Sequence, residues 1–233
     1  MTKVEHMKLL IQVINLPSRP DRLALISSQL KDAGLSFEKL VAVDGKRAGF
    51  QSNFLSMGEI GCFKSHVNAM RKQKEIGAEY SLILEDDAAL SSVVHQEFLS
   101  EMMDLMDRNK IDMLQIGYIE HFYSFSLRAG ILESVIDFLN GRGRKDASGV
   151  RFVLGEFRSG AHAYIVNARF ADGISSAVSE PPLVPWDDWL GLMAKAQKHR
   201  NFRIARLVDS VVKQASRSSH KSSVDSDIEG PES

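Results

Sequence analysis

Short apolar runs alternate with amphipathic segments along the first half of the chain. Each apolar run has the length of a buried strand, and the runs lie at residues 9–16, 37–43, 80–84 and 111–118. The segments between them carry apolar residues at helical spacing, and they predict helices at residues 20–33, 56–77 and 95–106. Strands that alternate with helices predict an α/β fold, with a mostly parallel central sheet and flanking helices.

Local signals mark the ends of two of these helices. Pro20 suits the first turn of a helix, where its missing N–H is not needed, and Gly34 suits a helix end. Ser56 and Glu59 have the spacing of a capping box, and Gly77 would end that second helix. The second helix is therefore predicted to follow a polar loop and to lead into the third strand.

The second half of the chain carries weaker signals. Two more strands and two more helices are predicted at residues 150–157, 161–166, 167–178 and 185–197. Residues 141–149, with the sequence GRGRKDASG, predict a mobile loop or an insertion. From Ser216 onward, serine, charged residues, glycine and proline replace large apolar residues, so residues 216–233 predict a disordered tail.

Composition narrows the class of protein. The 233 residues carry 29 Lys and Arg against 30 Asp and Glu, so no overall positive field marks a nucleic-acid-binding protein. Cys62 is the one cysteine, which excludes an intrachain disulfide and favours a reducing compartment. No apolar run approaches the roughly 18 residues of a membrane span, and the opening residues MTKVEHMK lack a signal-peptide core. We expect a soluble cytoplasmic protein.

Positive charge is concentrated near the C-terminus. Between residues 195 and 221, Asp209 is the one acid against eight basic residues, which are Lys195, Lys198, Arg200, Arg203, Arg206, Lys213, Arg217 and Lys221. One interpretation is a solvated helix and tail, because runs of charge usually face water. The other is a patch for phosphates or for an anionic membrane surface, which would give a peripheral contact at the inner face of the cytoplasmic membrane.

Three adjacent carboxylates follow the strand at residues 80–84, in the stretch YSLILEDDAAL. Glu85, Asp86 and Asp87 would lie at the carboxyl end of that strand, where open α/β sheets bind ligands. Adjacent carboxylates repel one another and resist burial, and a divalent cation such as Mg²⁺ or Mn²⁺ relieves both penalties. The alternative is structural: Asp87 caps a helix, and the other two carboxylates are solvated.

Six blocks of sequence, in a fixed order, resemble one enzyme family. They read INLPSRPDR, VAVDG, LSMGEIGCFKSHVNAM, YSLILEDDA, SGAHAYIVNARFA and LVPWDDWL. Together they resemble glycosyltransferase family 25, the lipooligosaccharide galactosyltransferases, with the collagen galactosyltransferases as distant relatives. The resemblance covers roughly residues 9 to 215. It implies a GT-A type glycosyltransferase fold in a single domain at residues 1–215, with a nucleotide-binding half at about 9–118 and an acceptor half at about 119–215.

The resemblance also implies an activity. Family members transfer a sugar, usually galactose, from a UDP-sugar with inversion at the anomeric carbon. The acceptor would be a hydroxyl of a bacterial lipooligosaccharide or another surface glycan. The acidic triplet matches the family's DXD-like metal motif, although it reads Glu-Asp-Asp here, and by that match Asp87, Asp86 and Glu85 would hold Mn²⁺ or Mg²⁺ against the donor diphosphate. Inversion needs no covalent nucleophile, so Cys62 would be a packed small residue.

The same blocks suggest residues that contact the donor nucleotide sugar. They are Asn15, Leu16, Arg19, Arg22, Asp44, Gly58, Ser65, His66, Glu85 and Asp86. The arginines could reach phosphates, Asp44 could bind a ribose hydroxyl, and His66 could contact the nucleotide or the sugar. Gly58 and Gly61 could let a ligand approach the backbone at a helix start, where N–H groups favour anions. Plainer roles stay open: surface charge, turn formation and helix packing.

The later blocks suggest the acceptor side. Asp187 and Asp188 lie between two tryptophans, and one of them is the candidate general base that takes the proton of the acceptor hydroxyl. The resemblance favours Asp187, whereas both could instead suit the positive end of a helix dipole. His162 would line the acceptor cleft, and Gln214 with Ser216 would lie near the diphosphate.

Two other functions are compatible with parts of the pattern. A nucleotidyltransferase on a similar fold would also need the metal, but the chain lacks a glycine-rich loop of the Walker type. A family member that binds a nucleotide sugar without turnover is the second alternative. An idle site, however, has no need to keep three carboxylates that repel one another.

Overall fold

The computed structural model describes most of the chain. The described residues are 8–50, 52, 54–119, 143–177, 183–196 and 202–215. The predicted tail at residues 216–233 lies outside them, as do four residues of the basic stretch, Lys198, Arg200, Arg217 and Lys221. Within the described ranges no helix is both long and apolar enough to cross a bilayer. The cytoplasmic location stays a prediction.

The described residues form one sheet with helices on both faces. The strands are β1 Leu9–Asn15, β2 Glu38–Val41, β3 Tyr80–Glu85, β4 Ala88–Leu90, β5 Met113–Gly117, β6 Gly143–Lys145, β7 Arg151–Leu154, β8 Ala163–Asn167, β9 Ile204–Leu207 and β10 Val212–Gln214. The helices are α1 Pro20–Asp32, α2 Met57–Ile76, α3 Gln96–Asn109, α4 Ala168–Ala177 and α5 Trp186–Lys195. The predicted α/β fold with a central sheet and flanking helices is therefore confirmed.

The sheet is mixed, with a parallel part built from the first half of the chain. Its main path runs β2-β1-β3-β8-β5-β9-β7-β6, and β10 joins β4 to β5. β1 pairs in parallel with β2 and β3, and β5 pairs in parallel with β9. β8 runs antiparallel between β3 and β5. The carboxyl ends of β1, β2 and β3 consequently meet at one edge of the sheet. The division into a nucleotide-binding and an acceptor half stays a prediction.

Each central strand sends alternate side chains into two separate cores. In β3, Leu82 and Leu84 pack into the core with α1 and α3, whereas Ile83 packs into the core with α2, α4 and α5. β8 follows the same rule, with Ile165 in the first core and Tyr164 in the second. Helices cover both faces of these strands, which is why the strands read as continuous apolar runs in the sequence.

The predicted ends of α2 are confirmed. The hydroxyl of Ser56 accepts a hydrogen bond from the N–H of Glu59 at 3.2 Å, and the Glu59 carboxylate accepts one from the N–H of Ser56 at 2.7 Å. Gly77 ends the helix with a φ of 74°, a left-handed conformation that favours glycine. The reciprocal cap fixes where α2 begins, beside the edge at which β1, β2 and β3 end.

Four short strands have no counterpart in the sequence prediction. Residues 143–145, predicted as part of a mobile loop, form β6, which pairs antiparallel with β7. β4, β9 and β10 were not predicted either, and the last two lie within the basic stretch. These strands span only three or four residues each, and backbone pairing defines them, so no side-chain period marks them.

The basic stretch is not simply a solvated helix and tail. Arg206 on β9 is buried, and its guanidinium lies 3.0 Å from the carboxylate of Glu156. Lys213 on β10 is exposed. A patch for phosphates or for a membrane surface would therefore not include Arg206. Binding of phosphate or membrane by the other basic residues stays a prediction.

Candidate active site

A cleft of about 220 Å³ opens where β1, β2 and β3 end, and α2 forms one of its walls. Open α/β sheets bind their ligands at this position. Most of the residues predicted for the donor line it, namely Leu16, Arg22, Asp44, Gly58, Ser65, His66, Glu85 and Asp86, together with Asp87 and Gln214. We refer to it as the first cleft.

The acidic triplet splits between the two faces of the sheet. Glu85 is the last residue of β3, and its carboxylate lies 3.1 Å from Nε2 of His66 on α2. Asp86 faces α1, where it accepts a hydrogen bond from Asn15 at 2.7 Å and pairs with Arg22 at 3.4 Å. β3 ends at Glu85 and Asp86 begins the turn that follows, so the chain leaves the strand between the two side chains. Both oxygens of Asp86 therefore have protein partners.

Asp87 keeps one carboxylate oxygen without a partner. Its Oδ2 accepts a hydrogen bond from the side-chain amide of Gln214 at 2.9 Å, and its carbonyl accepts one from the N–H of Ala215 at 2.7 Å. Its Oδ1 is buried and has no hydrogen-bond partner among the described residues. Such an oxygen is costly to bury, and a cation would remove that cost. The triplet thus fits a divalent cation best at Asp87, with Glu85 as a second ligand.

Burial and repulsion set the charge of the first cleft. Burial raises the pKa of Glu85 well above its ordinary value, and the negative charges of Asp87 and Asp187 raise it further. Burial also raises the pKa of Asp86, while the hydrogen bond from Asn15 opposes that shift. Carboxyl groups in this state favour protonation, and a divalent cation would favour the ionised form instead.

His66 connects the first cleft to the start of α5. Its Nδ1 lies 2.7 Å from the hydroxyl of Tyr164, while its Nε2 faces Glu85. The imidazole stacks on Trp186 with ring centroids 5.2 Å apart and planes 4° from parallel. Burial lowers the pKa of His66 from 6.5 to about 4, so the ring is neutral at pH 7. The residue is therefore both packed, as the plainer interpretation holds, and part of the cleft wall.

Two glycines bring α2 against the loop that follows β2. A Cβ on Gly61 would lie 2.5 Å from the carbonyl oxygen of Val43, and a Cβ on Gly45 would lie 1.7 Å from a backbone carbonyl of α2. The hydroxyl of Ser65 accepts a hydrogen bond from the N–H of Val43 at 2.8 Å. Gly61 was expected to let a ligand approach the backbone, but it lets the loop after β2 approach α2 instead. Gly58 does line the cleft.

Two of the residues predicted for the donor do not line the first cleft. Asn15 is buried beneath it and acts through its hydrogen bond to Asp86. Arg19 forms an ion pair with Asp21 at 3.0 Å beside the start of α1. Asp44 does line the cleft, and it also accepts a hydrogen bond at 3.1 Å from the backbone N–H three residues later, which is the turn role left open above.

A second cleft of about 200 Å³ adjoins the first at Cys62, which lines both. The other residues of this second cleft are Glu59, Ser159, Pro185, Trp186, Asp187 and Asp188. The carboxylate of Asp187 accepts a hydrogen bond from the N–H of Gly160 at 2.6 Å, and burial raises its pKa. Asp188 is exposed. The two candidate bases therefore differ, because Asp187 is partly buried and held by a backbone hydrogen bond, whereas Asp188 is exposed.

The remaining predicted residues lie close to the clefts or outside the described ranges. His162 is buried, with its Nε2 3.0 Å from the carbonyl of Val212, and it lines neither cleft. Gln214 lines the first cleft, whereas Ser216 is outside the described residues. Cys62 packs against the core under α2, as expected, and is also accessible from the clefts.

The sequence interpretation missed several residues of the site, among them Ser18, Lys46 and Tyr164. Ser18 and Lys46 line the first cleft, and Tyr164 orients His66. All three lie within or directly after a recognised block, so block membership was the available signal. Lys46 follows VAVDG immediately and adds an exposed positive charge to the lining of the first cleft.

A model of one protein family matches most of the chain. The family is described as glycosyltransferase family 25 (LPS biosynthesis protein), and the match covers residues 9–190. Procollagen galactosyltransferase 2 of Homo sapiens is 38% identical over 98 residues, 42% of this chain and 14% of that protein. A glycosyltransferase 25 family member of Drosophila melanogaster is 30% identical over 130 residues, 46% of this chain and 20% of that protein. The chain thus spans a fifth or less of the length of these relatives.

Two solved structures share the fold loosely. A glycosyltransferase involved in the glycosylation of the major capsid of PBCV-1 matches with a TM-score of 0.40 and 10% identity, over 75% of this chain and 68% of that chain. A UDP-glucose pyrophosphorylase complexed with UDP-glucose matches with a TM-score of 0.39 and 12% identity, over 87% of this chain and 90% of that chain. Likeness at this level carries no argument about function.

Proposed function

The chain belongs to glycosyltransferase family 25, and from that premise we propose that it is an inverting, metal-dependent transferase that moves galactose from UDP-galactose to a hydroxyl group of a surface glycan. The family assignment confirms the resemblance noted from the six sequence blocks. The donor sugar follows the galactosyltransferase named among the relatives, and a glycan of the lipopolysaccharide type follows the description of the family. The finer points are proposals, because the chain spans so little of those relatives' length.

One observation carries the proposal. Two clefts meet at Cys62: the first is lined by Asp87, whose buried Oδ1 has no hydrogen-bond partner among the described residues, and the second is lined by Asp187, whose carboxylate is held by Gly160. A transferase that joins a sugar to a hydroxyl needs a place for the leaving diphosphate beside a place for the acceptor. Adjacent clefts, each lined by one of these two carboxylates, would provide both places.

The first cleft has the residues that a divalent cation requires. Asp87 and Glu85, which both line the first cleft, would hold it, while Asp86 is engaged by Asn15 and Arg22. When bound, such a cation supplies Lewis-acid stabilisation of the charge that grows on the diphosphate. Arg22 and Asn15 would then position Asp86 and the turn that carries Asp87.

Asp187 is the residue we assign as general base. Its raised pKa, caused mainly by burial, brings its proton affinity closer to working pH, which favours proton acceptance from a hydroxyl. The N–H of Gly160 holds the carboxylate in place at the edge of the second cleft. Asp188, exposed one residue further along α5, has no comparable anchor among the described contacts.

The test is a product assay with purified protein. UDP-sugars are offered with Mn²⁺, with and without EDTA, and UDP release is followed while NMR determines the anomeric configuration of the transferred sugar. Metal-dependent UDP release with inversion supports the proposal. Pyrophosphate release from a nucleoside triphosphate would replace it with a nucleotidyltransferase, and donor binding without either product would replace it with a binding protein.

A further inference from the structure

A second kind of metal site lies in the wall between the two clefts. We propose that Cys62, His66 and Glu85 bind a thiophilic divalent cation of the Zn²⁺ class, independently of Asp87, and that its occupancy inhibits the transferase. The binding site is inferred from geometry alone. The inhibition rests on the proposed function.

The three potential ligand atoms already lie together. Sγ of Cys62, a ring nitrogen of His66 and a carboxylate oxygen of Glu85 are all within 4.8 Å of one another. Cys62 and His66 are four residues apart on α2, so their side chains share one face of the helix. Glu85 reaches the same point from the end of β3, on the sheet face that α2 covers. Secondary structure on two elements therefore sets the spacing.

The histidine is oriented as it is in metal sites. Its Nδ1 faces the hydroxyl of Tyr164 at 2.7 Å, which leaves Nε2 directed at the carboxylate of Glu85, 3.1 Å away. Stacking on Trp186 holds the plane of the ring. A metal-binding histidine normally has its second nitrogen fixed by such an outer partner, because that partner sets which nitrogen is free to ligate.

The ligand set selects the ion. A thiolate, an imidazole and a carboxylate suit Zn²⁺ or Co²⁺, whereas Mg²⁺ and Mn²⁺ prefer oxygen ligands alone. Three protein ligands leave a fourth tetrahedral position for water or a substrate oxygen. Binding forms a metal–sulfur bond and releases the thiol proton to solvent, so no oxidant or other reactant is involved.

Occupancy would act on the first cleft directly. All three ligands line it, and Glu85 is also the proposed partner of Asp87 in holding the catalytic cation. A zinc ion on Glu85 would withdraw that carboxylate and fill space beside the donor. We therefore expect Zn²⁺ to inhibit transfer even when Mn²⁺ is saturating.

The binding test uses Co²⁺ as a spectroscopic probe on the full chain. Because Cys62 is the one cysteine, a sulfur-to-cobalt charge-transfer band in the near ultraviolet reports on this site alone. Wild type should show the band, Cys62→Ser should lose it, and His66→Ala and Glu85→Gln should weaken cobalt binding by more than about 10-fold. Zn²⁺ should displace the cobalt and slow the reaction of Cys62 with a thiol reagent.

Two control variants separate this site from others. Asp87→Asn should keep the band, since Asp87 is not a ligand here. His95→Ala should also keep it, although His95 and Glu97 form an exposed histidine–carboxylate pair at 2.8 Å that could bind metal adventitiously. Circular dichroism checks that each variant is folded. If His66→Ala does not fold, Glu85→Gln is the variant that tests the loss of a ligand.

The outcomes distinguish this proposal from the proposed function. Absence of the band in wild type, or its loss in Asp87→Asn, would overturn the site. A band without any UDP release would leave the site standing and refute the transferase assignment. UDP release that Zn²⁺ does not lower in wild type would refute the inhibitory role alone.

Discussion

Replacing Asp87 with asparagine separates a functional carboxylate from a structural one. Asparagine keeps the size of the side chain and an oxygen that can accept from Gln214, so the contact at 2.9 Å can survive. The change removes the negative charge and puts an amide NH2 in the place of the buried Oδ1, which lacks a hydrogen-bond partner in the described structure. It also removes the repulsion that Asp87 exerts on Glu85, which is the largest cause of the raised Glu85 pKa after burial.

We expect Asp87→Asn to lower kcat while the unfolding free energy stays equal or rises. Loss of a group that stabilises developing charge typically lowers kcat by about 100- to 1,000-fold, and 100-fold corresponds to about 2.7 kcal/mol. An average substitution costs about 1 kcal/mol of stability. Here the variant sheds an uncompensated buried charge, so we expect its metal-free unfolding free energy to equal or exceed that of wild type by up to about 1 kcal/mol.

The assay measures both quantities on the same preparations. Chemical denaturation without metal gives the unfolding free energy, and UDP release gives the rate. Thermal unfolding with Mn²⁺ and UDP provides a third readout, because a ligand at 100 times its Kd stabilises by about 2.7 kcal/mol and Asp87→Asn should lose that gain. Asp172→Asn is the matched control: it breaks an exposed pair with Lys74 at 3.0 Å and should change stability by no more than about 0.5 kcal/mol, with activity intact.

Two results would refute the role of Asp87 as a ligand of the divalent cation. If the variant is destabilised by more than the average substitution, the Asp87 carboxylate stabilises the fold and is not a buried charge that costs stability. If it retains transfer within a few-fold of wild type together with stabilisation by Mn²⁺ and UDP, the cation lies elsewhere.

Three further predictions follow from other residues of the site. Gly61→Ala should lower the unfolding free energy by about 1–3 kcal/mol, because its Cβ would lie 2.5 Å from a backbone oxygen. Gly191→Ala is the control: its Cβ would have no neighbour nearer than 3.9 Å, so the unfolding free energy should rise by about 0.5–1 kcal/mol. Equal changes in thermal unfolding would contradict this prediction. Burial lowers the folded-state pKa of His66 from 6.5 to about 4, so the unfolded chain binds more protons than the folded chain between those pH values. As pH falls through that window, His66 should therefore lower the unfolding free energy by up to about 3 kcal/mol. Denaturation series across that pH range should show the effect in wild type and not in His66→Gln. Asp187→Asn should lower kcat about 10²–10⁴-fold with UDP affinity unchanged in calorimetry, and Asp188→Asn should stay within about 3-fold; comparable losses would remove the assignment of the base.

Local signals predicted the elements that build the first cleft. β1 and β3 are buried on both faces, so their runs are mostly apolar, with Gln12 and Ser81 as buried polar exceptions. The cap formed by Ser56 and Glu59 fixes the start of α2 within a few residues. The same locality explains why the blocks around these elements could be recognised. A side chain at a strand end or a helix start has a position that the neighbouring sequence largely determines.

The arrangement inside the cleft depends on contacts distant in sequence. Glu85, Asp86 and Asp87 are adjacent in the chain, but each contacts a different distant partner. Glu85 contacts His66, Asp86 contacts Asn15, and Asp87 contacts Gln214. No local period predicts which partner each carboxylate meets. The short strands β9 and β10 were missed for a related reason, since their existence depends on pairing with β5 and β4.

The first half of α2 is the shared wall of the two clefts, and this would couple the proposed donor and acceptor sites mechanically. Gly61 presses the helix onto the loop after β2, Cys62 lines both clefts, and His66 stacks on Trp186, the residue before Asp187. A shift of α2 away from that loop would therefore move the walls of both clefts at once. It follows that overpacking at Gly61 should impair donor binding and acceptor use together, whereas a change at Asp187 should impair only the second, and comparing the KM values for the two substrates distinguishes these cases.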